Sequence, residues 1–146
     1  MSHSIHDFSA KLRQPAVLPL LQTYVNWRRE LRQARAEGRP DPAPPAEQAP
    51  VSINLDLTTA CNYRCDHCID WDILNTPNKH DVDVLKASLK EMRDRGLRSV
   101  ILIGGGEPTL HPKFVEMVRY MKTELGLQIA VVTNGRLISE DLGIKL

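Results

Sequence analysis

Cys61, Cys65 and Cys68 are the three cysteines of the chain, and they fall within one short string, Cys61-Asn62-Tyr63-Arg64-Cys65-Asp66-His67-Cys68. An odd number of thiols cannot all pair as internal disulfides. A zinc site made of cysteine alone needs a fourth thiolate, which the chain lacks. Three thiolates on a curved loop match a cubane iron–sulfur cluster in which one iron keeps a position open for another ligand; thiolates are the usual protein ligands of such clusters. The residues alone also allow a zinc ion completed by His67 or Asp66, or thiols with no ligand role.

Two further strings could do chemistry. Ile103-Gly104-Gly105-Gly106-Glu107-Pro108 follows an apolar run. Glycines without a Cβ let the backbone approach a ligand closely, and its N–H and C=O groups can then bond a charged amino-acid moiety. Glu107 adds a carboxylate that either joins such a site or braces the turn. An ordinary glycine-rich turn is the other reading. Val132-Thr133-Asn134-Gly135 reads as a strand end with an Asn-Gly turn, and Thr133 and Asn134 bring polar groups to it.

The spacing Cys-x3-Cys-x2-Cys, within Thr59-Ala60-Cys61 to Cys68, resembles the cluster motif of the radical S-adenosylmethionine (radical SAM) enzymes. Asn62 after the first cysteine and His67 before the third extend the resemblance. Ile103 to Pro108 resembles the Gly-Gly-Glu motif that ends the second strand of that family's barrel, and Val132 to Gly135 resembles its third strand end. The likeness runs from about Val51 to Leu142. It implies that Cys61, Cys65 and Cys68 bind three irons of a [4Fe–4S] cluster. The fourth iron would be chelated by the amino and carboxylate groups of S-adenosylmethionine. Reductive cleavage would then give methionine and a 5′-deoxyadenosyl radical that abstracts hydrogen from a substrate. The resemblance places Gly104, Gly105, Gly106 and Glu107 at the methionyl amino group and His67 beside the adenine. It places Thr133 and Asn134 within reach of cofactor or substrate. A side chain at Gly105 or Gly106 would then obstruct the methionyl group and spare the cluster. The electron donor it implies is a reduced flavodoxin or ferredoxin-type protein.

The elements must carry these strings to one place. Residues 1–14 are polar and unpatterned, and are expected to be loose. Pro15 to Glu37 reads as an amphipathic helix, with Val17, Leu20, Leu21, Tyr24, Trp27 (or Val25), Leu31 and Ala34 recurring at three and four residues. Pro19 suits a first turn, and Gly38 a stop. Residues 39–50 hold Pro40, Pro42, Pro44, Pro45 and Pro50, the composition of an extended linker. Val51 to Leu57 alternates as a strand does. Thr58 to His80 is a long loop. Asp81 to Arg95 reads as a helix with Val82, Leu85, Leu89 and Met92 on one face and Gly96 as its stop. Val100 to Ile103 is a continuous apolar run, the pattern of a strand buried on both faces. Pro112 opens a helix with Phe114, Val115, Met117, Val118 and Met121 inward, ending near Gly126. Leu127 to Val132 is a third strand, and Ser139-Glu140-Asp141 a further helix start.

Strand–helix alternation of this kind argues for an α/β fold with a parallel sheet. In such barrels the chemistry lies at the C-terminal strand ends, where all three strings fall. Residues 51–146 suffice for about three βα units, since an eight-unit barrel takes about 250 residues. The expected architecture is therefore an incomplete parallel (β/α) barrel after an N-terminal tail and helix (1–38) and a Pro-rich linker (39–50). A truncated or split product, or a second chain that completes the barrel, are the expectations that follow from that size. An open parallel edge would otherwise invite pairing.

Composition narrows the function classes. The 146 residues are 42% hydrophobic and 25% charged, with a formal net charge of +1. That balance supports a buried core and argues against a nucleic-acid partner. No apolar run reaches the roughly 18 residues of a membrane span. The start Met1-Ser2-His3-Ser4-Ile5-His6 lacks a signal-peptide layout, so a cytoplasmic, reducing compartment is expected. Arg28, Arg32, Arg35 and Arg39 read as a solvated helix face. Asp70, Trp71 and Asp72 read as solvated loop, and His111 as a helix-start residue. Besides a radical enzyme or its N-terminal part, an iron–sulfur electron carrier and an inactive interaction module remain open.

Overall fold

The computed structural model describes residues 13, 15, 17–46, 49–77 and 80–146. The expectation for residues 1–14 thus lies outside the described residues, apart from Arg13.

Three strands, β1 (Ser52–Leu55), β2 (Ser99–Leu102) and β3 (Gln128–Val131), form one parallel sheet in chain order. Ile53, Val100 and Ile129 share one register row, and Leu55, Leu102 and Val131 the next row on the same face. That face is covered by α2 (Val82–Asp94) and α3 (Phe114–Arg119), which continues through a wider π turn over Tyr120–Glu124. The resulting core joins Leu57, Leu85, Leu89, Leu97, Val100, Leu102, Phe114, Met117 and Met121. The alternate residues, Asn54, Ile101 and Ala130, line the opposite face, where Asn54 and Ala130 are exposed and Ile101 is half-buried. The apolar run at β2 therefore has one fully buried face rather than two: Val100 and Leu102 are inaccessible, Ser99 and Ile101 half-buried.

Local chemistry explains the element ends. The Asp81 side chain caps α2, accepting from the N–H groups of Asp83 (2.9 Å) and Val84 (3.0 Å). Gly96, at φ 114°, ends the turn that follows. His111 serves the start of α3, its Nδ1 accepting from the Lys113 N–H at 3.1 Å. Ser139 caps α4 (Glu140–Lys145) by accepting from the Leu142 N–H. β1 and β3 are shorter than their sequence patterns and β2 is shifted back by one residue; beyond the strands single bonds continue the pairing, as in Ile103 N–H to the Leu55 carbonyl (3.3 Å) and Val132 N–H to Leu102 (2.9 Å).

The N-terminal helix, α1, runs over Leu18–Ala36 with Pro19 in its first turn. It starts later than its pattern, since Pro15 and Val17 lie in turns ahead of it. It leans on the linker: Trp27 Nε1 donates to the Pro42 carbonyl (3.2 Å), and Arg35 pairs with Asp41 (2.7 Å). Its apolar stripe is only partly covered. Leu31 and Ala34 are buried, while Tyr24 and Val25 are exposed. Leu20, Tyr24, Trp27, Pro44, Pro45 and Val51 help to line a cavity of about 590 Å³, at the end of the sheet away from the cysteines. Of the arginine face, Arg39 also pairs locally, with Glu37. Among the described residues, no helix is long and apolar enough to cross a membrane.

Candidate cofactor site

The parallel order puts the loops after β1, β2 and β3 at one edge of the sheet, and Glu107 ties them together. Its side chain is almost inaccessible, at 3% exposure. One carboxylate oxygen accepts from the Thr109 N–H (3.1 Å), the Thr109 hydroxyl (2.6 Å) and the Thr133 hydroxyl (2.7 Å); the other accepts from the Asn134 N–H (2.8 Å). The Glu107 N–H in turn donates to the Ala60 carbonyl at 2.8 Å, directly before Cys61. Burial opposes the charged form, but the hydrogen bonds from Thr109, Asn134 and Thr133 outweigh it and hold the carboxyl below its ordinary value. Of the two uses of Glu107 open at the sequence level, this geometry matches the brace.

The glycines before it also answer a need of the chain itself. Gly104 and Gly105 have positive φ, 95° and 64°, and turn the chain sharply. The room left by their missing side chains is taken by the chain itself. A Cβ on Gly104 would strike the Asp56 carboxylate, and one on Gly105 would lie 2.7 Å from the Thr58 carbonyl oxygen. A Cβ on Gly106 would run into the Ala60 carbonyl group and stand 2.7 Å from the Thr59 carbonyl carbon. A side chain at Gly106 would therefore displace the cysteine loop itself. The expectation from sequence is that a side chain here spares the cluster; at Gly106 the clash with the Ala60 carbonyl group argues the opposite.

The cysteine loop is fixed at its first end. Asn134 Nδ2 donates to Asn62 Oδ1 at 2.8 Å, so the third strand end grips the residue after Cys61. The Cys61 N–H donates to Asn75 Oδ1 at 3.0 Å, and the Tyr63 N–H points at Cys61 Sγ at 3.5 Å. Cys65 is exposed, and Cys61 and Cys68 are half-buried; all three are free thiols. Among the described residues, no three His, Cys, Asp or Glu side chains are already gathered as a metal cage. His67, Ile69 and Trp71 stand exposed on the same loop. The donor chemistry fits an iron–sulfur cluster: three thiols reachable from solvent on one loop, with a backbone N–H directed at a sulfur.

Two residues of this edge escaped the sequence reading. Asp56 lies beyond β1 in the polar positions that Asn54 begins, a period-two signal available in the sequence. Desolvation, and then the charge of Asp70, raise its pKa. Asn75 had no such signal, because its contacts are with Cys61 and Thr59, across a loop without period.

A family model for the radical SAM superfamily matches residues 55–144. The chain belongs to that superfamily, whose members use a [4Fe–4S] cluster and S-adenosylmethionine and take electrons from flavodoxin- or ferredoxin-type donors. Among its relatives is an S-adenosylmethionine-dependent nucleotide dehydratase of Thermoplasmatales archaeon (strain ISO4-H5), 36% identical over 90 residues, or 62% of this chain and 31% of the relative. An AdoMet-dependent heme synthase of Methanosarcina barkeri is 32% identical over 99 residues, 67% of this chain and 28% of its own length. A GTP 3′,8-cyclase of Chlorobaculum tepidum is 33% identical over 91 residues, 62% of this chain and 27% of its own. The chain thus spans between a quarter and a third of the length of these relatives. Their named activities differ, and what this chain shares with them is a region of 90 to 99 residues.

Proposed function

We propose that residues 51–146 form the cofactor-cleaving part of a radical SAM enzyme, the opening βα units of its barrel, with an N-terminal tail and helix (1–38) and a Pro-rich linker (39–50) ahead of it. In this reading Cys61, Cys65 and Cys68 hold the cluster. The turn Gly104–Gly106 offers its backbone to the methionyl group, His67 stands toward the adenine, and Thr133 and Asn134 border the site. Bound there, a [4Fe–4S] cluster and S-adenosylmethionine would supply one-electron chemistry, reductive cleavage of the sulfonium to a carbon radical able to abstract hydrogen from a substrate. Glu107 keeps the three loops in register by satisfying Thr109, Thr133 and Asn134 with a single carboxylate. A flavodoxin or ferredoxin is the proposed donor, and a reducing, cytoplasmic compartment suits free thiols.

The observation that carries this reading is the convergence of the three strand-end motifs on Glu107, with bonds to Ala60, Thr133 and Asn134. An electron carrier has no use for a second and third motif at the cysteine loop. The test is anaerobic reconstitution followed by electron paramagnetic resonance with and without S-adenosylmethionine. A cofactor-dependent change in the cluster signal is expected. An unchanged signal would return the chain to simple electron transfer.

A further inference from the structure

We infer that Asn75 is a positioning residue that presets the Cys61 end of the cysteine loop before a cluster binds. The inference rests on the proposal that the three cysteines hold that cluster. Among the described residues, Asn75 is the one non-glycine with positive φ, at 59°. Asparagine enters this left-handed region more readily than most residues because its short amide can bond locally. Here the bond is to the loop's first cysteine: Oδ1 accepts from the Cys61 N–H at 3.0 Å. The Asn75 N–H donates to the Thr59 carbonyl at 2.8 Å, and the Thr59 hydroxyl to the Thr76 carbonyl at 2.8 Å. The chain beyond the third cysteine is thereby closed onto the residues just before the first.

The opposite side of the same segment is held by the other strand ends, through Glu107 N–H to Ala60 and Asn134 to Asn62. Residues 59–62 are therefore clamped from two sides. Farther along, Cys65 is exposed, and the bond recorded at its backbone is local, from the Cys68 N–H at 3.1 Å. One ligand is set and two remain to swing in. A fixed first ligand shortens the search that loop closure on a cluster requires, and partners behind a ligand set its orientation and affinity. The left-handed turn and the amide acceptor are separable parts of this device. Glycine keeps the turn without the acceptor; aspartate keeps both.

The experiment uses the 146-residue chain, with ferrous iron and sulfide supplied anaerobically. It follows the growth of cluster absorbance, iron per chain, and iron loss to a chelator. Thermal melts of the iron-free chains are recorded alongside. Asn75→Gly is expected to lose iron about tenfold faster than the unaltered chain, the low end of what such supporting partners are worth. Asn75→Asp is expected to restore retention. Equal retention by the unaltered chain and Asn75→Gly would overturn the inference and leave the cluster proposal standing. No iron uptake by the unaltered chain would overturn the cluster proposal first, and this inference with it. If glycine lowers the melting temperature, Asn75→Asp decides alone: retention like the unaltered chain supports the acceptor role, and loss as fast as with glycine overturns it.

Discussion

At Glu107 one carboxylate serves four donors from two loops, and its removal would leave them short of an acceptor in a buried place. Glu107→Ala should cost about 2 kcal/mol or more of folding stability, since each unsatisfied buried group costs about 1–3 kcal/mol. The folded carboxyl lies below its ordinary value of 4.5. Its contribution is then fully present above that value and lost as pH falls through the lowered one. Urea denaturation of the unaltered chain should therefore show an acid-side decline that Glu107→Gln reduces; identical pH profiles would dissociate Glu107 from acid stability. At the cysteines, Cys61→Ala, Cys65→Ala and Cys68→Ala should each strip most of the iron from reconstituted protein. On the proposed assignment each would hold a different iron, and the sequence has no other cysteine to substitute. A full complement of iron in any of the three would sink the cluster assignment.

Elements were legible where one periodic face meets one partner. The stripe Val82, Leu85, Leu89 and Met92 shows up in the sequence because α2 lies on the sheet, and Asp81 announces its start. Leu89 is fully buried, so Leu89→Ala should cost about 2–5 kcal/mol by calorimetry or denaturant. The same period in α1 promised more than it delivers. Tyr24 and Val25 stay exposed because a proline-rich segment, not the sheet, lies beside the helix. The glycine turn was visible as a turn, but its reason was not. Spacing cannot reveal that Ala60 lies where the Gly106 side chain would be. Gly106→Ala should lower both the melting temperature and iron uptake; normal uptake would show that the cysteine loop yields without harm. Asn75 acts through contacts across one long loop, which periodicity does not encode, whereas Asp56 sat in a polar alternation that could have been read.

At the scale of the molecule, among the described residues one face of the sheet is left exposed on its two outer strands. Asn54 and Ala130 are exposed there, and Val132, Ile138 and Ile144 are each more than half exposed on and after the third strand. Radical chemistry on a substrate depends on excluding water. The 146-residue chain should therefore cleave S-adenosylmethionine slowly, to 5′-deoxyadenosine, without coupling to a substrate. Liquid chromatography of the reduced, reconstituted protein measures this; fast coupled turnover would overturn it. The brace between Asn62 and Asn134 spans 72 positions of chain. Ribosomes add roughly 5–20 residues per second, so the cysteine loop is synthesised on the order of 10 s before its partner. Throughout that interval the thiols are made but lack this second brace. If the proposed cluster assembles there, timing would count beside affinity, and iron delivered after the third strand has docked would meet a loop already held at Asn62.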